Sequence, residues 1–283
     1  MKMNVDKLVT DYRTGSLGRR EFMKKLVLVT GGTAAAFSLL QASGAGDIAD
    51  QLMQDADIIS EFITYPVEDG EMKGLLSHPK EKKKYPAVIV IHENRGLVPH
   101  IQDVNRRMAK EGFLALAPDG NSPLGGTPED QNQGMTMLRE IPGETHTRNF
   151  VAAVKYLQTH PLSNGKVGCT GFCWGGAMTN QVAVNAPELK AAVPYYGSVP
   201  TDEDVPKIKA AVMAHYAEND QRINAGIEGF REAMKKAGIE HQIFMYPGTG
   251  HAFNNDTNPG RYNEEAAKLA WERTVNFFKD KLK

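Results

Sequence analysis

Only two cysteines occur among 283 residues, Cys169 and Cys173, too few for a disulfide framework. Positive charge is not in excess either. The formal net charge is −1 and no basic stripe runs along the chain, so a nucleic-acid partner is not expected. The apolar runs stop short of the length needed to cross a bilayer, which leaves no stable membrane span. Histidines and carboxylates never fall at the spacing of a zinc or iron site, so no metal and no cofactor is expected. Internal repeats are absent, and nothing in the pattern speaks to oligomeric state. What remains is a chain that is 41% hydrophobic and long enough for one large core.

The N-terminus differs in character from the rest. Gly18-Arg19-Arg20-Glu21-Phe22-Met23-Lys24 precedes a mildly apolar run, Leu26 to Leu40, rich in glycine and alanine. A twin arginine followed by such a run resembles a twin-arginine export leader, which implies a periplasmic protein. The motif begins late, and Ala42-Ser43-Gly44-Ala45 makes a poor cleavage region. The competing reading is a retained amphipathic helix on a partner or membrane surface, in a cytoplasmic protein. Residues 1–55 are therefore set apart, and residues 56–283 are read as one domain.

In that domain strand and helix alternate. Asp57–Tyr65 and Met72–His78 read as a hairpin joined by Glu68-Asp69-Gly70-Glu71. Continuous apolar runs suited to buried parallel strands follow at Ala87–Ile91, Phe113–Ala117, Val167–Thr170, Ala191–Tyr196, Ala210–Ala214 and Gln242–Tyr246. Between them lie helical stretches at Ile101–Lys110, Thr147–Thr159, Ala177–Asn185 and Ala225–Lys236, and the amphipathic Asn263–Leu282 closes the chain. The alternation predicts an α/β fold with a mainly parallel sheet covered by helices on both faces. Pro118–Pro142 reads as the longest irregular stretch, suited to a pocket rim or lid.

The most informative motif is Gly171-Phe172-Cys173-Trp174-Gly175-Gly176. It has the G-x-nucleophile-x-G spacing of a nucleophile elbow, between a short apolar strand and a helix start, with cysteine as the nucleophile. A thiol there faces a helix N-terminus, where partial positive charge favours the thiolate. At neutral pH an ordinary thiol still needs a base. Two candidate partners follow in the order this fold uses: Asp220, with Glu218 as a nearby rival, and His251 in a glycine-rich loop. Each leaves the C-terminal end of a strand, the edge where open parallel sheets bind ligands.

His92-Glu93-Asn94-Arg95-Gly96 follows the first parallel strand. The loop at that place contributes one oxyanion-hole amide and the residue after the nucleophile the other, which assigns the backbone N–H groups of Asn94 and Trp174. Glu93 is then a carboxylate close to the thiol, or else a surface partner of Arg95 or Arg222. Taken singly, these residues also admit bland readings: a buried inert Cys173, a turn-forming Asp220, a structural His251. His215, His241 and the other scattered histidines read as structural or exposed.

Together the motifs resemble the dienelactone hydrolases (carboxymethylenebutenolidases) of the α/β-hydrolase superfamily. The likeness runs from about Ile58 to the C-terminus and rests on His92–Leu97, Ala117-Pro118-Asp119-Gly120, the cysteine elbow, the Asp220 loop and Gly250-His251-Ala252-Phe253. It implies an eight-stranded sheet and a Cys173–His251–Asp220 triad. It implies too a small-molecule ester or lactone substrate cleaved through a thioester, and a Glu93 that takes the proton of an uncharged resting thiol when substrate binds. Arg95, Tyr196 and Phe253 are the candidate substrate contacts. The best-known members hold a substrate carboxylate with two arginines. Here Pro118-Asp119 leads into Gly120-Asn121-Ser122-Pro123, and His251 into Ala252-Phe253-Asn254-Asn255, with no arginine at either place.

Two other classes remain open: a non-catalytic relative that binds a small ligand, and a thiol redox enzyme using Cys169 with Cys173. Replacing Cys169 by alanine separates the second from a hydrolase. Ester hydrolysis is expected to persist in Cys169→Ala; its loss, with a peroxide-dependent disulfide in the parent, would establish the redox pair.

Overall fold

The computed structural model describes residues 5–14, 16–17, 19–30, 33–45, 48 and 57–283. The boundary expected at residues 55–56 lies outside the described residues, as do the side chains of Arg19 and Arg20. Three helices, α1 (Val5–Arg13), α2 (Arg19–Thr30) and α3 (Thr33–Ala42), bury Phe22, Leu26 and Leu40 in a small cluster of their own. Among the described residues, no helix is long and apolar enough to cross a membrane.

The eight strands are β1 (Ile58–Val67), β2 (Gly70–Pro79), β3 (Tyr85–Ile91), β4 (Leu114–Pro118), β5 (Ser163–Phe172), β6 (Ala191–Tyr195), β7 (Ala211–Asn219) and β8 (His241–Gly250). They form one sheet in the order β1-β2-β4-β3-β5-β6-β7-β8. β1 and β2 form the expected hairpin, β2 runs antiparallel to β4, and every later pairing is parallel. The sheet is the eight-stranded, mainly parallel one expected.

Because side chains alternate across a strand, β3 feeds two cores. Val88 and Val90 pack under α4 (Pro99–Lys110) and the closing helix α10 (Glu264–Lys281). Ala87, Ile89 and Ile91 pack on the other face, under α6 (Gly143–Thr159), α7 (Trp174–Asn185) and α9 (Ile227–Lys236). From β3 the chain moves outward to β4 and then returns to the opposite side of β3 as β5. The strand order reverses there, opening a crevice at the carboxyl ends of β3 and β5. Both the His92 loop and Cys173 leave the sheet at that point.

One expectation needs correction. The segment Pro118–Pro142 is not irregular throughout: it holds a 3-10 turn at Ser122–Leu124 and a helix, α5 (Gln131–Glu140). Asp130 starts α5 by accepting the Asn132 N–H at 2.8 Å. Only Gly134 and Leu138 of this helix are buried, so the 3.6-residue apolar period that would reveal it is missing.

The strands that carry the acid and the histidine loops are tied together by a buried polar network. Thr274 Oγ1 donates to the Ala270 carbonyl at 2.8 Å, so it accepts from both Tyr195 OH at 2.6 Å and His215 Nε2 at 3.0 Å. His215 Nδ1 then accepts from Tyr246 OH at 2.9 Å. The tautomer follows from the partners, and every member is satisfied. A short helix, α8 (Gln221–Asn224), begins directly after Asp220.

Burial, helped by the charge of Arg273, pushes the His215 ring down to about 3 from its ordinary 6.5. The unfolded chain therefore takes up a proton between those values that the folded chain refuses. The stability this ring contributes is complete above about pH 6.5 and is lost as pH falls toward 3. The urea midpoint is expected to drop as pH falls from 7 to 4.5. In His215→Gln, whose side chain does not titrate, the dependence should be flatter across that window whatever its midpoint at pH 7.

Candidate active site

Cys173 stands between β5 and α7 with φ 57° and ψ −112°, a conformation costly for a residue with a Cβ. The neighbouring glycines make it attainable. A Cβ on Gly171 would meet the Gly175 carbonyl oxygen at 2.3 Å, and one on Gly175 would meet the His92 carbonyl oxygen at 2.4 Å. The other non-glycine residues with positive φ among those described are Tyr196 (36°) and Ala252 (68°). One follows β6 and the other follows His251, so all three left-handed residues ring one site.

His251 Nδ1 lies 2.5 Å from Asp220 Oδ2, a charge-assisted pair that leaves Nε2 free. Of the two candidate acids, Asp220 is therefore the one that meets the imidazole. Glu218 instead accepts the Gly248 N–H at 2.8 Å. Cys173 and His251 both border a cavity of about 660 Å³, and both also border a second of about 300 Å³. The sulfur thus sits where two compartments meet. Glu93, Arg95 and Asn255 face the larger one; Trp174, Tyr196 and Ile223 face the smaller. Two residues of α3, Ala35 and Ser38, complete the rim of the larger cavity.

The Asn94 amide donates to no backbone carbonyl among the described residues. The Trp174 amide is aimed at the sulfur and pulls the thiol pKa down, as does the charge of Arg222. Burial and the Glu93 carboxylate push it up, with Asp220 adding to them, and the upward effects win. The helix N-terminus alone thus does not make a resting thiolate, contrary to the simple expectation; desolvation outweighs it. Cys169 is fully buried, and burial raises its pKa to about 12 against the effect of its Thr179 contact.

The loops that carry Asn94 and Trp174 are held by neutral histidines. His92 Nε2 accepts the Gly120 N–H at 2.9 Å, so Nδ1 carries the proton and donates to the Glu93 carbonyl at 2.6 Å. The His92 ring stacks on Trp174 at 5.3 Å, and His146 meets the same indole edge-on at 4.9 Å. Burial lowers the pKa of both rings, which keeps them uncharged at neutral pH. The loop after β3 is in this way locked both to the end of β4 and to the residue following the nucleophile.

The remaining candidates divide. Arg95 is exposed, borders the larger cavity and donates to Gln131 Oε1 at 2.5 Å. Tyr196 is buried, its ring 5.1 Å from that of His251. Phe253 does not touch either cavity: it is fully buried and packs edge-on against Tyr196 at 5.4 Å. A turn with Ala252 at positive φ directs Phe253 into the core, so it backs the site rather than contacting a ligand. Glu93 pairs with neither Arg95 nor Arg222; Asn255 Nδ2 donates to its Oε2 at 2.8 Å. That contact spans 162 residues and has no local signal in the sequence. Among the described residues no cluster of side chains fits a metal ion.

A family model described as the dienelactone hydrolase family matches residues 72–282. The chain belongs to the dienelactone hydrolase family. A relative from Escherichia coli (strain K12), provisionally named carboxymethylenebutenolidase, is 32% identical over 256 residues, covering 84% of this chain and 94% of its own. One from Methylorubrum extorquens with the same name is 30% identical over 280 residues, covering 93% and 95%. Among solved structures, a dienelactone hydrolase assigned by similarity in Klebsiella pneumoniae superposes with a TM-score of 0.72 at 29% identity, over 78% of this chain and 98% of that one. A dienelactone hydrolase-like phosphotriesterase from metagenomic libraries, at 22% identity and a TM-score of 0.70, shares the fold, over 81% of this chain and 100% of its own. The family member described here therefore has the α/β-hydrolase fold.

The loop that follows His251 is pinned to α4 by Asp256. Its Oδ2 accepts from Arg107 at 2.6 Å, and its Oδ1 lies 3.2 Å from His100 Nδ1. Burial would raise the Asp256 pKa, but the His100 contact and the Arg107 charge override it and hold the carboxyl at about 2 rather than 3.8. Its stabilisation is present above pH 3.8 and is lost as pH falls through 2. Asp256→Ala is expected to cost about 1–2 kcal/mol at pH 7, allowing for partial exposure, in urea unfolding.

Proposed function

We propose that this protein hydrolyses a small ester or lactone by nucleophilic catalysis through Cys173. The observation that carries the reading is the strained cysteine at the elbow bordering the same two cavities as the Asp220–His251 pair. Membership of the dienelactone hydrolase family supports it.

In this reading the Cys173 sulfur attacks the carbonyl carbon as its proton leaves for Glu93. The oxyanion is received by the Asn94 and Trp174 amides; losing one such donor typically costs on the order of 3 kcal/mol. As the C–O bond breaks, the alkoxide takes up a proton and departs, leaving a thioester on Cys173. His251, with Nδ1 oriented by Asp220, then draws a proton from water at Nε2, and hydroxide attack on the thioester frees the acid and restores the thiol. The compartments on either side of the sulfur suit the acyl and alcohol portions of the substrate. Arg95 and the ring of Tyr196 are the proposed substrate contacts. The two arginines that hold a substrate carboxylate in the best-known members have no counterpart at the matching places here, so the reading requires no carboxylate on the substrate.

The twin-arginine-like segment adds a proposal of location: the protein acts in the periplasm after export. Cell fractionation of the full chain and of an Arg19→Lys, Arg20→Lys variant tests it, retention of the variant in the cytoplasm being the expected result.

A panel of p-nitrophenyl esters and lactones, with intact-mass detection, tests the chemistry. An acyl adduct on Cys173 is expected during turnover. Cys173→Ser should lose activity by at least about 100-fold, because an alcohol is far harder to deprotonate than a thiol. Full activity in the serine variant, or no hydrolysis of any ester together with a thiol inert to iodoacetamide, would overturn the proposal.

A further inference from the structure

Helix α3 has two faces with different surroundings. Ala36 and Leu40, four residues apart, are buried in the N-terminal cluster with Phe22 and Leu26. Tyr12 of α1 joins that cluster, its ring stacked on Phe22 at 4.6 Å. Ala35 and Ser38, three residues apart, share the face turned away from it. Both are exposed, and both border the larger cavity, which also reaches Cys173 and His251.

α3 packs against α4, and Val98 and Pro99 at the start of α4 border the same cavity. The two helices thus make one stretch of its wall. Half of that stretch lies outside residues 72–282, the part of the chain that defines the family. Among the described residues, none from α1, α2 or α3 borders the smaller cavity, so anything α3 does is confined to one compartment.

The side chains facing the space are short. An alanine reaches one heavy atom past the backbone and a serine two, so the wall stands back and the compartment keeps its volume of about 660 Å³. A large side chain at either position would take its own volume from that space. Because both positions are exposed on a helix, such a change costs the fold little.

We propose that α3 is the specificity wall of the larger compartment, where Ala35 and Ser38 set the size of the substrate portion admitted. The segment that resembles an export leader thereby belongs to the working site. This deepens the hydrolase reading and rests on it. The poor cleavage region Ala42-Ser43-Gly44-Ala45 suits a segment that stays attached. A chain that lost α3 would have an open compartment and would accept bulkier esters.

Proximity is tested without turnover, in the full chain at pH 8. In Ser38→Cys a short bismaleimide is expected to bridge position 38 to Cys173 within one chain, with the bridge located by peptide mass. Cys169 is fully buried and does not compete. Leu28→Cys, at an exposed site on α2 that borders neither cavity, should give no bridge to Cys173. Selection is tested with two ester series, one graded in the acyl portion and one in the alcohol. Ser38→Trp is expected to lower kcat/KM at least about ten-fold for the largest members of one series. The smallest esters should stay within about two-fold of the parent. Ala35→Leu should act in the same direction, more weakly, and stands in if Ser38→Trp does not fold. The proposal is overturned by the absence of a bridge in Ser38→Cys, by an equal bridge in Leu28→Cys, or by two series that Ser38→Trp leaves unchanged. Hydrolysis without a bridge removes only the role of α3. A bridge in a protein that hydrolyses no ester sinks the hydrolase reading and supports α3 as a wall of the cavity alone.

Discussion

The geometry of the site depends on a steric constraint at the strand-to-helix turn after β5. Carbonyl oxygens of Gly175 and His92 come so close to Gly171 and Gly175 that neither position admits a side chain. Between these tightly packed glycines Cys173 takes up the left-handed region and borders both cavities. The same packing brings the loop after β3 against the first turn of α7. Asn94 and Trp174, from different parts of the chain, therefore both border the smaller cavity. The stability of a large doubly covered sheet holds this strained turn in place, as is usual for strained residues at functional sites.

A second constraint is electrical. Three buried histidines, His92, His146 and His215, are kept neutral by burial and serve as hydrogen-bonding and stacking pieces. Their protons are assigned by what surrounds them, down to which ring nitrogen carries the hydrogen. His251 differs from them because it is partly exposed and its Nδ1 meets a carboxylate, which leaves Nε2 facing the cavity. Among these four rings, only His251 therefore combines a free nitrogen with access to a ligand.

Most of this was legible in the sequence where function depends on neighbours in the chain. The elbow, the parallel strands and the post-strand loops of Asp220 and His251 all carry local patterns, and the structure brings them to one sheet edge. Contacts between distant segments were not legible. No spacing rule links Asn255 to Glu93, or His146 to Trp174, since each pair meets only after the sheet has formed. Phe253 was misread for a related reason. It lies two residues from His251, but the left-handed Ala252 between them turns it into the core. Helix α5 escaped because a helix lying along a pocket rim buries only one narrow edge.

Asn255 also bears on the choice of ligand. A guanidinium at that place would neutralise Glu93 and offer an anion a fixed partner in the cavity. The carboxamide does neither. The arginines that line the two cavities, Arg95, Arg139, Arg222 and Arg261, are all exposed, and Arg95 is already engaged by Gln131. An anionic group would therefore be met by exposed side chains whose attraction is screened by salt. Deeper in, the groups available to a substrate are amides, and their hydrogen bonds reward an oxygen-rich ligand whether or not it is charged. Recognition near the sulfur then rests on hydrogen-bond geometry, and charge contributes mainly to approach.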